Sequence, residues 1–391
     1  MNDKHLERLR FWLGRPTFWF GRLPPGIPPL AGKLAPVAWL LALAVGAAAE
    51  APPPLRVVDA APLESLSRKF VQSSGWTGAD GAYSIPISPK TALWIFDDTW
   101  IGRVENGRRA GARMINNTFA WQSLAADREP LRFFWQQQGD QPQAVLRPAE
   151  ADSWYWPGDG AVVGERLYLL AKRVRKRDAG EPGFQFDWYA NDLLEIANYT
   201  DEPTAWRWRR IALPFGKDAP QLSSACLAEG GFFYIYGLFP AARLARLSRP
   251  LAVARVAQNE LAASNPPTWE FWSQQEQGGS WSASHERLAT LFHDAAPEMT
   301  VNRVPGINGL VATYTSLGMS REIRLRVASR PEGPWSAAVL AYRCPEDSPK
   351  LLIYAAKAHP EQIATPGELV ITYCCNTGSL AEHMSRPDIY L

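Results

Sequence analysis

Apolar residues in this chain gather in short unbroken runs, with neither helical spacing nor strict alternation. Five runs have strand length and are entered through a turn or a polar break: Thr91-Ala-Leu-Trp-Ile-Phe-Asp-Asp98, Glu165-Arg-Leu-Tyr-Leu-Leu-Ala171, Gly231-Phe-Phe-Tyr-Ile-Tyr-Gly237, Gly309-Leu-Val-Ala-Thr-Tyr-Thr315 and Glu368-Leu-Val-Ile-Thr-Tyr-Cys374. They recur every roughly 60 to 80 residues, which suits one unit of about four strands repeated five times. A strand with one wet face would alternate, whereas a strand sandwiched between neighbouring sheets buries both faces. The pattern therefore predicts an all-β chain, a five-bladed β-propeller of four-stranded antiparallel blades. A second marker follows each of the first four runs: Phe134-Trp135, Trp206-Arg-Trp208, Trp269-Glu-Phe-Trp272 and Pro334-Trp335. It reads as an outer strand whose aromatic side chains fill the widening space between blades. Leu251-Ala-Val-Ala-Arg-Val256 and Ile323-Arg-Leu-Arg-Val327 suit a third strand.

Composition fits this picture. With 391 residues, 20% of them charged and 12% aromatic, and with 33 Pro and 29 Gly, the chain is turn-rich and long enough for a large core, and residues 52–391 read as one domain. Residues 1–50 hold 6 of the 41 Lys/Arg and 3 of the 39 Asp/Glu, so the remainder carries 35 against 36, about −1. Such a balance gives no electrostatic reason to expect nucleic acid or an anionic membrane as partner.

Residues 1–51 read as a leader. Leu34 to Ala49 is an apolar run preceded by Arg22 and Lys33, ending in small residues suited to cleavage after Ala49 or Ala51. It is short and Ala-rich for a membrane span, so a secreted or periplasmic protein without stable membrane association is expected. No Cys follows the run to carry a lipid anchor. Cys344 and the adjacent Cys374 and Cys375 all fall in the last repeat, where either one disulfide or buried thiols suit the pattern.

In a propeller, side chains far apart in sequence converge where the innermost strands meet, so the positions just upstream of each apolar run carry the chemistry. There stand Asp80, Asp159, Ser224 with Cys226, Glu298, and His359 with Glu361. Carboxylates drawn from different blades onto one axis are what glycosidic cleavage requires: one ionised group attacks or activates water, and another kept protonated donates to the leaving oxygen. Trp76, Tyr83, Trp154 and Trp156 stand beside them as candidate sugar-stacking surfaces. Taken singly, Asp-Gly at Asp80 and Pro-Gly-Asp-Gly at Asp159 are also ordinary turn sequences.

The run Gly75-Trp-Thr-Gly-Ala-Asp-Gly-Ala-Tyr-Ser-Ile-Pro86, followed by Leu93-Trp-Ile-Phe-Asp-Asp-Thr-Trp-Ile-Gly102, resembles the first blade of secreted bacterial five-bladed propellers long filed as domains of unknown function. Some of these are grouped with endo-D-arabinan-cleaving glycoside hydrolases, within a superfamily shared with arabinanases, xylosidases and invertase-like enzymes. Met114-Ile-Asn-Asn117, Trp156-Pro-Gly-Asp-Gly160 and Ala254-Arg-Val256 leading to Trp269-Glu-Phe-Trp272 extend the resemblance from about Trp76 to the C-terminus. It implies catalytic roles for Asp80 as base or nucleophile, Asp159 as helper and Glu298 as proton donor. It also implies substrate contacts from Asp98, Asn117 and the last-blade His359, the last of which is equally suited to a structural role. Asp97 departs from the resemblance, since Gly is common there.

Other chemistries find little support. There is no Gly-x-Ser-x-Gly elbow, phosphate-cradling Gly-Lys-Ser/Thr loop or Gly-x-Gly-x-x-Gly fingerprint, and the five histidines are scattered. No cofactor is expected, although Ca²⁺ held by Asp or carbonyl oxygens near the channel is compatible with the pattern. The basic run Lys172-Arg-Val-Arg-Lys-Arg177 is expected to tip a hairpin into solvent. The expected function is an exported glycoside hydrolase acting on furanose-containing polysaccharide, with a non-catalytic glycan-binding propeller as the alternative.

Overall fold

The computed structural model describes residues 55–125, 129–178, 185–214, 218–240, 248–263, 266–276, 278–363 and 365–390, together with the backbone of a strand at Leu6–Leu13. The apolar run at 34–49 and the proposed cleavage points lie outside these residues. Among the described residues strands dominate, the longest helix has 6 residues, and every ladder between named strands is antiparallel. No described helix is long and apolar enough to cross a membrane.

Five sheets follow one another along the chain. The first orders Tyr83–Ser88, Thr91–Phe96, Thr118–Ser123 and Arg132–Phe134; the second Ser153–Val163, Arg166–Lys176, Phe186–Ile196 and Trp208–Ala212. The third orders Gln221–Glu229, Phe232–Leu238, Leu251–Ala257, Glu270–Gln275 and Gly278–Ser282, and the fourth Met299–Arg303, Leu310–Thr315, Glu322–Ala328 and Val339–Arg343. In the fifth, Leu351–His359 pairs with Glu368–Thr377, then come Leu6–Leu13 and Leu55–Pro62. The first strand of each sheet touches the first strand of the next, and Leu351–His359 touches Tyr83–Ser88.

The apolar runs are the second strands of their sheets. Such a strand is paired along both edges and covered on both faces, so Ala92 to Phe96 and Leu310 to Thr315 are buried without a break. The aromatic marker lies at or beside the fourth strand in the first three sheets, and the suggested third strands are third strands. A separate apolar cluster fills each gap between consecutive sheets: Ile85 and Leu93 with Leu169 and Leu194, Leu170 and Leu193 with Ile235 and Ala254, Tyr236 and Val253 with Val301 and Tyr314, Val311 and Leu325 with Ile353 and Ile371, and finally Trp94 and Phe96 with Val370. Each fully buried Leu, Val or Phe there contributes about 1.5–3 kcal/mol relative to exposure.

The described strands depart from a uniform four-stranded repeat in the first and third sheets. The third sheet has a fifth strand. The first sheet is interrupted by a hairpin, Thr99–Glu105 and Arg108–Ile115, which pairs with Ser74–Ala79 as a separate three-stranded sheet. The chain thus passes between these two sheets at Asp80-Gly-Ala82, at Asp97-Asp98 and again at Asn116-Asn117. Cys226, Cys344, Cys374 and Cys375 are all buried thiols.

Candidate active site

The first two crossovers concentrate acid. The Asp80 N–H donates to the Asp98 carbonyl at 3.3 Å and the Asp97 N–H to the Asp80 carbonyl at 3.0 Å, so three aspartates meet at one level. Gly81, at φ +85°, permits this, because a Cβ there would stand 3.1 Å from the Asp97 nitrogen. Asp159 arrives by a different device. The ladder between Ser153–Val163 and Arg166–Lys176 slips register between Pro157 and Gly160, and this irregularity holds Asp159 with its Oδ1 on the Gly160 N–H and its Oδ2 on the Cys226 N–H, each at 2.9 Å. The first strands of the third and fifth sheets slip in the same way, around Ser223 and Ser224 and around Ala355.

Glu298 stands just before Met299–Arg303 and accepts from Lys172 Nζ at 3.1 Å. Lys172 opens the basic run expected to tip a hairpin into solvent; Arg175, Lys176 and Arg177 are exposed there, while Lys172 is turned inward beside Trp188. A second buried cation, Lys357, donates to the Ala355 carbonyl at 3.1 Å and lies 4.1 Å over the Tyr83 ring. Both ammonium groups act on Glu298.

These surroundings divide the acids. Burial, reinforced by Asp98 and Glu298, pushes Asp80 up to about 7 against the bond from Tyr354. Burial, then Glu298 and Asp80, holds Asp97 well above the usual carboxylate range. Asp98 is lifted by burial to about 6 although Trp156 Nε1 and Asn116 Nδ2 donate to its Oδ1 at 2.8 and 3.0 Å. Burial lifts Asp159 to about 7 despite its two N–H donors. Glu298 is the exception: burial would raise it, but Lys172 and Lys357, with the Asp97 side chain, outweigh that and hold it below the ordinary range. The Tyr83 phenol, 1% exposed, is driven up by burial and by the charges of Glu298, Asp159 and Asp97, which places it among the three.

The remaining candidates are placed as follows. Trp156 reaches the site through its bond to Asp98. Trp76 is 1% exposed, stacked on Phe133 at 4.5 Å and bonded to Thr118, within the core behind the aspartates. The Asn117 amide is engaged by the Leu146 N–H and the Leu146 and Tyr155 carbonyls, and its neighbour Asn116 is the residue that meets Asp98. Both His359 nitrogens are engaged, by Ser84 at 2.6 Å and Thr372 at 2.8 Å, and burial, then Lys357, lowers the ring to about 3, so it is neutral. Ser84 also bonds Glu361. Among the described residues no three His, Cys, Asp or Glu side chains converge closely enough to hold a metal ion; the cations beside the acids are the two lysines.

Sequence reasoning passed over Lys172, Lys357, Tyr354, Asn376 and Tyr390. Lys357 carried a signal, a lone charge inside Tyr354-Ala-Ala-Lys-Ala-His359, a stretch otherwise fit to be buried on both faces. Tyr354 donates to Asp80 Oδ2 at 2.6 Å, and Tyr390 donates to the Asp98 carbonyl at 3.0 Å.

The profile of a family described as a domain of unknown function, DUF5005, matches residues 64–390. The chain belongs to the DUF5005 family. The match spans every described acid above, from Asp80 to Glu361. A crystal structure of a "putative hydrolase" from Bacteroides ovatus ATCC 8483 superposes with a TM-score of 0.66 at 19% identity, covering 83% of this chain and 87% of that one, and the two share a fold. The GH43 protein BlXynB of Bacillus licheniformis gives a TM-score of 0.39 at 10% identity, over 78% of this chain and 50% of that one. A Trypanosoma rangeli sialidase in complex with the inhibitor DANA gives 0.40 at 8%, over 76% and 54%. No curated protein matches the chain.

Proposed function

We propose that the chain is an exported glycoside hydrolase, a five-bladed β-propeller that cleaves furanose-containing polysaccharide or a related glycan at the mouth of its central channel. The cyclic contacts among the five first strands and the five intersheet cores support the propeller reading. The apolar run at 34–49 supports export to the periplasm or the exterior.

One observation carries the activity. Asp80 and Glu298, from the first and fourth sheets, act on each other's charge inside one buried centre, yet their surroundings push them in opposite directions. Two carboxyl groups held apart in this way divide acid and base work between them. The electrostatics favour an exchange of the roles implied by chain order. Asp80, near 7, keeps a proton for the leaving glycosidic oxygen, and Glu298, ionised beside Lys172, attacks the anomeric carbon or takes a proton from water. Asp159 braces the second sheet against the third and adds its field.

The test is release of reducing ends from a panel of arabinans, xylans and galactans by the full chain, with Asp80→Asn and Glu298→Gln as controls. Each substitution is expected to lower the rate by about 10²–10⁴-fold. Undiminished hydrolysis by both variants would overturn the assignment. Sugar binding in calorimetry without product release would favour a glycan-binding propeller.

A further inference from the structure

Behind Asp80 lies a chain of hydrogen bonds whose directions are all fixed by chemistry. Trp100 Nε1, which can only donate, points at His383 Nδ1 at 3.4 Å. That nitrogen must accept, so the proton sits on Nε2, which faces two acceptors, Asn376 Oδ1 at 2.5 Å and the Thr377 carbonyl at 3.1 Å. Asn376 Nδ2 then donates to the Tyr354 hydroxyl at 3.1 Å, and Tyr354, its oxygen so occupied, donates to Asp80 Oδ2 at 2.6 Å. Every donor faces the carboxylate.

The far end is anchored with equal care. His383 belongs to the short helix Leu380–Ser385, and Arg109, 4% exposed, donates to the carbonyls of His383 at 2.6 Å, Tyr390 at 2.6 Å and Thr77 at 2.5 Å. A buried guanidinium bound to backbone carbonyls fixes the C-terminal segment against the strand that leads into Asp80.

Resting on the glycosidase reading, we propose that Tyr354, Asn376 and His383 are positioning residues, a one-way relay of donors through which the C-terminal segment orients Asp80 and favours its ionised form. The relay is the counterweight at this acid. Burial and the neighbouring Asp98 and Glu298 carboxylates disfavour charge on Asp80, Cys374 adds a thiol nearby, and the phenols of Tyr354 and Tyr390 favour charge. Without the relay the carboxyl would hold its proton to higher pH, and Oδ2 would lose its bond from Tyr354 while Oδ1 is already buried without a partner.

The test reads Asp80 directly, by infrared titration of its carboxyl band in the full chain, identified by its loss in Asp80→Asn. Tyr354→Phe is expected to move the titration upward by about one pH unit, the worth of a hydrogen bond to a charged group. Asn376→Asp should move it at least as far, because the new carboxylate would draw the Tyr354 proton away from Asp80. The same titration in Asn376→Leu serves should Tyr354→Phe fail to fold, and is expected to rise by a smaller amount. An unchanged Asp80 titration in folded variants would overturn the relay. Because the band is read without substrate, a shifted titration in a protein that cleaves no glycan would leave the relay standing and remove only the glycosidase reading. Where hydrolysis is measurable, the limb of the pH–rate profile set by Asp80 should move upward in Tyr354→Phe while KM stays near the parent value.

Discussion

Replacing Lys172 by methionine removes the ammonium that holds Glu298 ionised while keeping most of the aliphatic stem. The pair is 3.1 Å apart with side chains 11% and 15% exposed. At an effective dielectric of about 20, opposite unit charges at that distance attract by about 5 kcal/mol, before the desolvation of both groups is counted. Lys172→Met leaves Glu298 with Lys357 alone, and breaking a buried pair from one side costs about 3–5 kcal/mol. Lys172→Met/Glu298→Gln should recover most of that loss. The assay is a double-mutant cycle by urea denaturation at neutral pH, with an expected coupling of about 2 kcal/mol or more. Its pH dependence has a definite sign. Glu298 titrates below its ordinary 4.5 in the folded chain, so the coupling is complete above that value and is lost as pH falls through the lowered folded value. A coupling below about 0.5 kcal/mol, the size of a solvent-exposed pair, or one that persists in acid, would refute the placement of Glu298 as the ionised partner.

Four further outcomes follow from the same geometry. Asp80 rises from 3.8 to about 7 on folding, so its contribution is fully present below 3.8 and lost as pH climbs through 7; Asp80→Asn should therefore gain stability over the parent with rising pH, up to a ceiling of about 4 kcal/mol, and a pH-independent difference in denaturation would contradict this. Arg109→Met leaves three buried carbonyls without their donor and should cost about 3 kcal/mol, with faster hydrogen exchange over residues 380–390. Asn117→Ala breaks three bonds to the backbone of Leu146 and Tyr155 and should lower stability by about 2–4 kcal/mol, while Asn116→Ala, at the Asp98 carboxylate, should change the pH profile of activity with a smaller effect on Tm.

The sheets were legible in the sequence because their second strands are buried on both faces, and that condition writes itself as an unbroken apolar run. The runs thus located second strands, while the acids stand on or before the first strands, one hairpin earlier. That spacing marks Asp80, Asp159 and Glu298 as candidates. What spacing does not encode is which cation faces which acid. Lys172 opens a run of charges whose other members are solvated, and only the third dimension turns it toward Glu298. The hairpin Thr99–Glu105 and Arg108–Ile115 was hidden for a related reason: its two edges look like any β-hairpin, and its departure into a second sheet is set by the crossover at Asp97-Asp98. Asn116 and Asn117 differ by one position, and adjacent side chains point to opposite sides, so a motif match cannot choose between them.

The acids that carry the proposed chemistry come from the first, second and fourth sheets, while Tyr354, Lys357, Asn376 and Tyr390 come from the last stretch of chain. A ribosome making this protein therefore finishes nearly the whole polypeptide before Asp80 acquires its partners. Products halted before Leu351 would contain all three candidate catalytic carboxyls and still lack Tyr354, Lys357 and Tyr390.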